Sequence, residues 1–150
     1  MSKRWWLGGL MVALAGHAAR LEAQRLWQAD VLIRSLDVTV LNGNLLARVV
    51  VMGGAEDEAR SARVEVLMPV GVGIVRMGAG CVASAAPPGV SVLRGRVTCE
   101  LGNLAVQGSR EVFVMTTIPP DGVPKTFGVF AMSDTPDPKP GNNFAEKTLP

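Results

Sequence analysis

The chain has 150 residues, 48% of them hydrophobic and 19% charged, with a formal net charge of +2. That length supports one domain with its own core, and the apolar content excludes intrinsic disorder. A single histidine and no tyrosine leave few groups suited to proton transfer near neutral pH, so no enzyme and no cofactor are expected.

The first residues read MSKRWWLGGLMVALAGHAARLEAQ. Lys3 and Arg4 precede an apolar run from Trp5 to Gly16, and small residues follow at Ala18, Ala19 and Ala23. This is the layout of a secretory signal peptide. The uncharged run, closed by Arg20 and Glu22, falls short of the roughly 20 residues of a spanning helix. The expected organisation is a signal peptide over 1–23, a short leader segment over 24–28 and one domain over 29–150, with the mature chain starting between Ala19 and Arg25. Loss of Lys3, Arg4, Arg20 and Glu22 lowers the basic residues from 15 to 12 and the acidic ones from 13 to 12, a net charge of zero. The mature chain then has no electrostatic pull toward nucleic acid or anionic lipid, and no stable membrane insertion is expected. His17 leaves with the leader.

From Ala29 onward, short valine-rich segments alternate with glycine, proline, asparagine and aspartate clusters about every ten residues, which predicts an all-β sandwich. VLIRSLDVTVL and NLLARVVVM read as strands joined at LNGN, where Asn-Gly tolerates positive φ. After a break at MGGAEDEA, the segment ARVEVLM puts Ala62, Val64, Val66 and Met68 on one face and Arg63 and Glu65 on the other. Glu56, Asp57 and Glu58 read as a solvated turn. In GVGIVRMGAG, the missing Gly-Lys-Ser/Thr ending and the lack of a following helix pattern exclude a phosphate loop; GIVRM is a short strand between glycine turns.

LRGRVTCEL alternates again. Leu93, Val97, Cys99 and Leu101 point one way, and Arg94, Arg96, Thr98 and Glu100 point to solvent. LGNLAVQG reads as a break. REVFVMTTI, TFGVFAMS and the terminal NFAEKTL complete about eight strands, which fit two packed sheets. Phe113, Phe127, Phe130 and Phe144 are expected to pack the core, leaving no aromatic platform for sugars.

Cys81 and Cys99 are the only cysteines, and an exported chain with none left over predicts a disulfide between them. SDTPDPKPGNN, from Ser133 to Asn143, reads as an inter-strand turn. Its prolines cannot donate to a sheet ladder, and Gly141, Asn142 and Asn143 tolerate the conformations that turn the chain back. The alternative is a calcium loop built from Asp134, Asp137, Asn142 and Asn143, since calcium takes oxygen ligands; their spacing matches no known loop geometry.

Read in order, ADVLIRSLDVTV, RVVVMGGAEDEARSARVEVLMPVGV, VTCELGNLAVQGSREVFV and SDTPDPKPGNN resemble the bacterial family catalogued as domain of unknown function 11. The resemblance spans about Ala29 to Leu149. It departs at Met52-Gly53-Gly54, where the family usually carries asparagines before the glycine of a turn. It implies an immunoglobulin-like β-sandwich of the kind found in secreted and cell-surface proteins, often in tandem, although no second copy of the pattern occurs here. The implied function is a non-catalytic, exported module serving adhesion, envelope structure or assembly through protein contacts. The alternative is a calcium- or glycan-binding module. An unidentified protein partner is expected, by strand addition at the edge formed by Asn143, Phe144, Ala145, Glu146, Lys147, Thr148 and Leu149.

Overall fold

A computed structural model describes residues 26–84 and 95–150. Nine strands form: β1 (Val31–Leu41), β2 (Asn44–Gly53), β3 (Ala59–Leu67), β4 (Ile74–Met77), β5 (Cys81–Ser84), β6 (Arg96–Leu104), β7 (Ser109–Thr117), β8 (Lys125–Met132) and β9 (Phe144–Leu149). They build an immunoglobulin-like sandwich of two antiparallel sheets. One sheet has the order β1-β2-β7-β4 and the other β5-β6-β3-β8-β9. No helix among the described residues is long and apolar enough to cross a membrane.

Turn chemistry and period-two patterning generate this architecture. Asn42 and Gly43 have φ of 50° and 73°, the left-handed pair that closes a two-residue hairpin between β1 and β2. In β3, Ala62, Val64 and Val66, with Met68 just beyond, are buried. They meet Val97, Cys99 and Leu101 of β6 and Phe127, Val129 and Ala131 of β8 in one continuous core, closed from the other sheet by Leu45, Ala47, Val49, Val51, Val112 and Val114. Each large side chain buried in this way contributes on the order of 1.5–3 kcal/mol.

Two readings of the sequence need correction, the break at LGNL and the core phenylalanines, and two further features were not legible in it. The break at MGGAEDEA carries the chain from the first sheet to the second, between β2 and β3. A Cβ on Gly53 would sit 2.6 Å from the Ala105 carbonyl oxygen, and one on Gly54 would sit 2.6 Å from Asp30 Cβ, so both glycines are close-approach positions. LGNL is not a break, because β6 continues to Leu104 by way of Gly102 at φ 68°. CVAS forms β5, a strand whose short, exposed residues carry no alternation and which exists by pairing with β6. Finally, only Phe127 among the phenylalanines is fully buried. Phe130 and Phe144 are 44% and 45% exposed, and Phe113 is half-buried. With Phe127, Val129 and Ala131 turned inward, alternation sends Phe130 outward. The expected signal peptide, Leu93 and Arg94 lie outside the described residues.

Each sheet edge is blunted against pairing with another chain. Strands β4 and β5 have four residues each. Strand β1 has a register shift between Ile33 and Ser35, and the N–H of Val31 is taken by a side chain. Strand β9 pairs Lys147 opposite the inward Phe127, placing an exposed charge at core-facing parity, a known protection for edge strands.

Candidate interaction surfaces

SDTPDPKPGNN is more than a turn. It joins β8 to β9 through a 3-10 turn at Pro140–Asn142, and it also buckles the start of β1 to the rest of the domain. Ala29 N–H donates to the Pro136 carbonyl (3.1 Å) and Val31 N–H to Asp137 Oδ2 (2.9 Å). Asn142 Nδ2 donates to Asp30 Oδ1 (2.9 Å), and Arg60 N–H donates to Thr135 Oγ1 (3.0 Å). Asp30 and Thr135 are buried polar residues held by these bonds.

The Glu56–Asp57–Glu58 stretch, expected as a solvated turn, anchors the chain leading into β1. Asp57 Oδ2 accepts from the Gln28 N–H (3.1 Å), Glu58 O accepts from Trp27 Nε1 (3.1 Å), and the Arg60 guanidinium lies over the Trp27 ring. Glu56 Oε1 accepts from Lys139 Nζ at 2.8 Å, and the same ammonium lies 3.5 Å from Asp30 Oδ2. The hydrogen bond from Lys139 holds the Glu56 carboxyl below its ordinary range, and the bond to Glu56 raises Lys139.

The four calcium candidates are used separately. Asp134 pairs with Arg63 at 3.2 Å, and Asn142 binds Asp30. Only Asp137 and Asn143 meet, through an Asn143 Nδ2 to Asp137 Oδ2 bond of 3.0 Å; Asp137 Oδ1 accepts from the Lys139 N–H. Among the described residues, no three His, Cys, Asp or Glu side chains converge as metal ligands do.

Cys81 and Cys99 are disulfide-bonded directly across β5 and β6, with Cα atoms 3.9 Å apart. Cys99 is fully buried on the core face, so the bond ties the exposed edge strand to the core.

The predicted edge segment divides by role. Asn143 is buried and faces the buckle, whereas residues 144–149 form β9. Ala145 and Leu149 pack on the core, and Thr148 shares a 2.8 Å hydroxyl bond with Thr126. Phe144 stands opposite Phe130 in register, and their rings lie 5.0 Å apart with a 46° tilt on the outer face of the second sheet. On that face Arg96 pairs with Glu65 at 3.3 Å, while the two aromatic rings face water.

The outer face of the first sheet carries a second apolar feature. Leu46 is only 6% exposed yet does not belong to the core, because it points away from the other sheet. It floors a depression of about 250 Å³ with Leu41, Phe113 and Met115, flanked by Arg48 and Arg76. The Arg76 guanidinium lies 5.8 Å from the Phe113 ring centre. An adjoining depression shares Leu41, Leu46 and Arg48 and reaches Asp37. The sequence reading missed both surfaces; the outward parity of Phe113, Phe130 and Phe144 was the available signal.

No family model and no curated protein matches the chain. Among solved structures, it is similar to the chitin-binding domain of Chi18aC from Streptomyces coelicolor, with a TM-score of 0.45 and 13% identity over 74% of this chain and 96% of that one. It is also similar to a GH20 exo-β-N-acetylglucosaminidase from Vibrio harveyi in complex with N-acetylglucosamine, with a TM-score of 0.40 and 9% identity over 82% of this chain but 17% of the enzyme. At these values the likeness carries no argument about ligand or activity, and the fold rests on the strand pairing described above.

Proposed function

We propose that the chain is an exported, non-catalytic immunoglobulin-like module that acts in adhesion, envelope structure or assembly through protein contacts. The exposed Phe130–Phe144 pair is the observation that carries this reading. Two adjacent aromatic rings left in water on a sheet face have the chemistry of an interface hot spot, where large rigid rings fill a partner's pocket. The disulfide supports export to an oxidising compartment, whether periplasm, cell surface or medium. The resemblance to the domain of unknown function 11 family agrees with it.

The contact keeps the 143–149 segment but shifts its chemistry. Lys147 guards the backbone edge, so the partner is met by the face that presents Phe144 and Phe130 rather than by an added strand. A photo-crosslinking phenylalanine analogue at position 130 or 144, in cells that export the protein, should trap one recurrent protein. The same analogue at Val106, on a remote exposed loop, should not. Equal labelling from all three positions, or none from 130 and 144, overturns the reading.

Glycan binding is the second reading, favoured by the same exposed rings. Their 46° tilt breaks the flat platform that stacks best on a sugar ring, which ranks it below a protein contact. Titration with soluble chitin and other envelope oligosaccharides, read by shifts of the phenylalanine NMR signals, separates the two.

A further inference from the structure

Two adjoining depressions on the outer face of β1-β2-β7-β4 are lined by two cations, Arg48 and Arg76, and two anions, Asp37 and Glu111, around the apolar centre of Leu46, Phe113 and Met115. None of the four charges forms an ion pair among the described residues, and Arg76 only lies over Phe113. On the opposite outer face Arg63 and Arg96 are paired with Asp134 and Glu65. We propose that the first face is a contact between two copies of this chain, packed face to face about a two-fold axis.

The strand register makes the case. Asp37 stands opposite Arg48, and Arg48 opposite Phe113. Leu46 and Arg76 both stand opposite Met115, and Glu111 opposite Val50. A half-turn about an axis running along the strands, midway between β2 and β7, exchanges β2 with β7 and β1 with β4. Arg48 then lies over the second copy's Phe113, with that copy's Glu111 two residues, or about 7 Å, along the strand. Leu46 meets the second copy's Met115, and Arg76 comes within the same two-residue distance of the second copy's Asp37. An arginine side chain spans that gap.

Both charge pairs and the apolar centre are therefore satisfied by one symmetric arrangement, as an isologous interface requires. A lining with equal numbers of both signs offers a strongly charged foreign partner no net attraction, which is why a second copy is the occupant. Three long strands and the four-residue β4, spaced about 4.8 Å apart, present roughly 400 Å² in projection, near the lower limit of specific interfaces once side-chain relief is added. The dimer is accordingly weak and concentration-dependent.

Sedimentation velocity tests the arrangement on the chain as processed by an exporting host, from about 10 µM to about 1 mM, where weak interfaces populate. The wild type should move from monomer to dimer. Arg48→Glu and Glu111→Arg should each weaken association at least about tenfold, and the double variant R48E/E111R, which restores opposite signs across the axis, should recover it. Both side chains are exposed, so thermal melts should match the wild type and report folding independently. A wild type that stays monomeric to 1 mM, a dimer indifferent to the single reversals, or a folded double variant that fails to recover would each overturn the proposal.

Discussion

Asp137 accepts a 2.9 Å hydrogen bond from the backbone N–H of Val31, whose side chain is fully buried at the start of the first strand. The same carboxylate receives the Asn143 side-chain amide and the Lys139 N–H. Asp137→Ala leaves a partly buried N–H and the Asn143 amide unpartnered. It should cost about 2–3 kcal/mol, which lowers the melting temperature by roughly 5–10 °C for a domain of this size. Asp137→Asn keeps one carbonyl acceptor and should lose less. An alanine variant that melts with the wild type would show that the buckle contributes no stability.

The Cys81–Cys99 bond closes a sequence separation of 18 residues. Its removal in the double serine variant should destabilise by about 3 kcal/mol through the unfolded chain. A hydroxyl at the fully buried Cys99 position adds a desolvation cost. Circular dichroism at low temperature should still report the strand content of the wild type. Identical denaturation midpoints in oxidising buffer would refute the prediction.

The Glu56–Lys139 pair predicts a pH profile. The hydrogen bond from Lys139 is the largest influence on Glu56 and lowers it from its ordinary 4.5, so the pair's contribution is present above that pH and is lost as pH falls through the folded value. Lys139 is raised from its ordinary 10.5 by the bond to Glu56, so its contribution is present below that pH and is lost as pH rises through the folded value. The stability difference between the wild type and Lys139→Gln should thus be level from about pH 6 to 9 and shrink on both sides. Because Lys139 is largely exposed, the difference is small and weakens with salt. Urea midpoints across this range check it, and a difference that persists undiminished at pH 3 contradicts it.

Truncation before Asn142 removes β9 together with the Asn142–Asp30 and Asn143–Asp137 bonds. It also uncovers the edge of β8, which pairs with β9 from Lys125 to Phe130. The shortened chain should melt at a lower temperature and dimerise or aggregate through that unguarded strand. If ultracentrifugation finds a monomer of unchanged stability, β9 is a dispensable tail.

The strand alternation was legible because a buried face imposes a period of two on local sequence. ARVEVLM and RVTCEL declare their inner faces without reference to any other part of the chain. The Asn42–Gly43 hairpin was legible for a similar reason, since a left-handed pair is a property of the two residues themselves. The disulfide followed from cysteine count and expected compartment, and its register across β5 and β6 fits that inference.

What only the tertiary structure decided are relationships between distant segments. CVAS has no strand signal of its own and is made a strand by its neighbour β6. Gly53 and Gly54 look like turn glycines, but they are small because Ala105 and Asp30, remote in sequence, pass against them. Phe130 and Phe144 read as core by composition, and it took the register of β8 against β9 to place both rings outward and side by side. Asp137 and Asn142 read as turn residues, while their partners Val31 and Asp30 lie more than a hundred residues away. Local sequence determines which conformations and faces a segment prefers; which groups then meet depends on how the two sheets stack, because contacts of that span are fixed by packing the whole core at once.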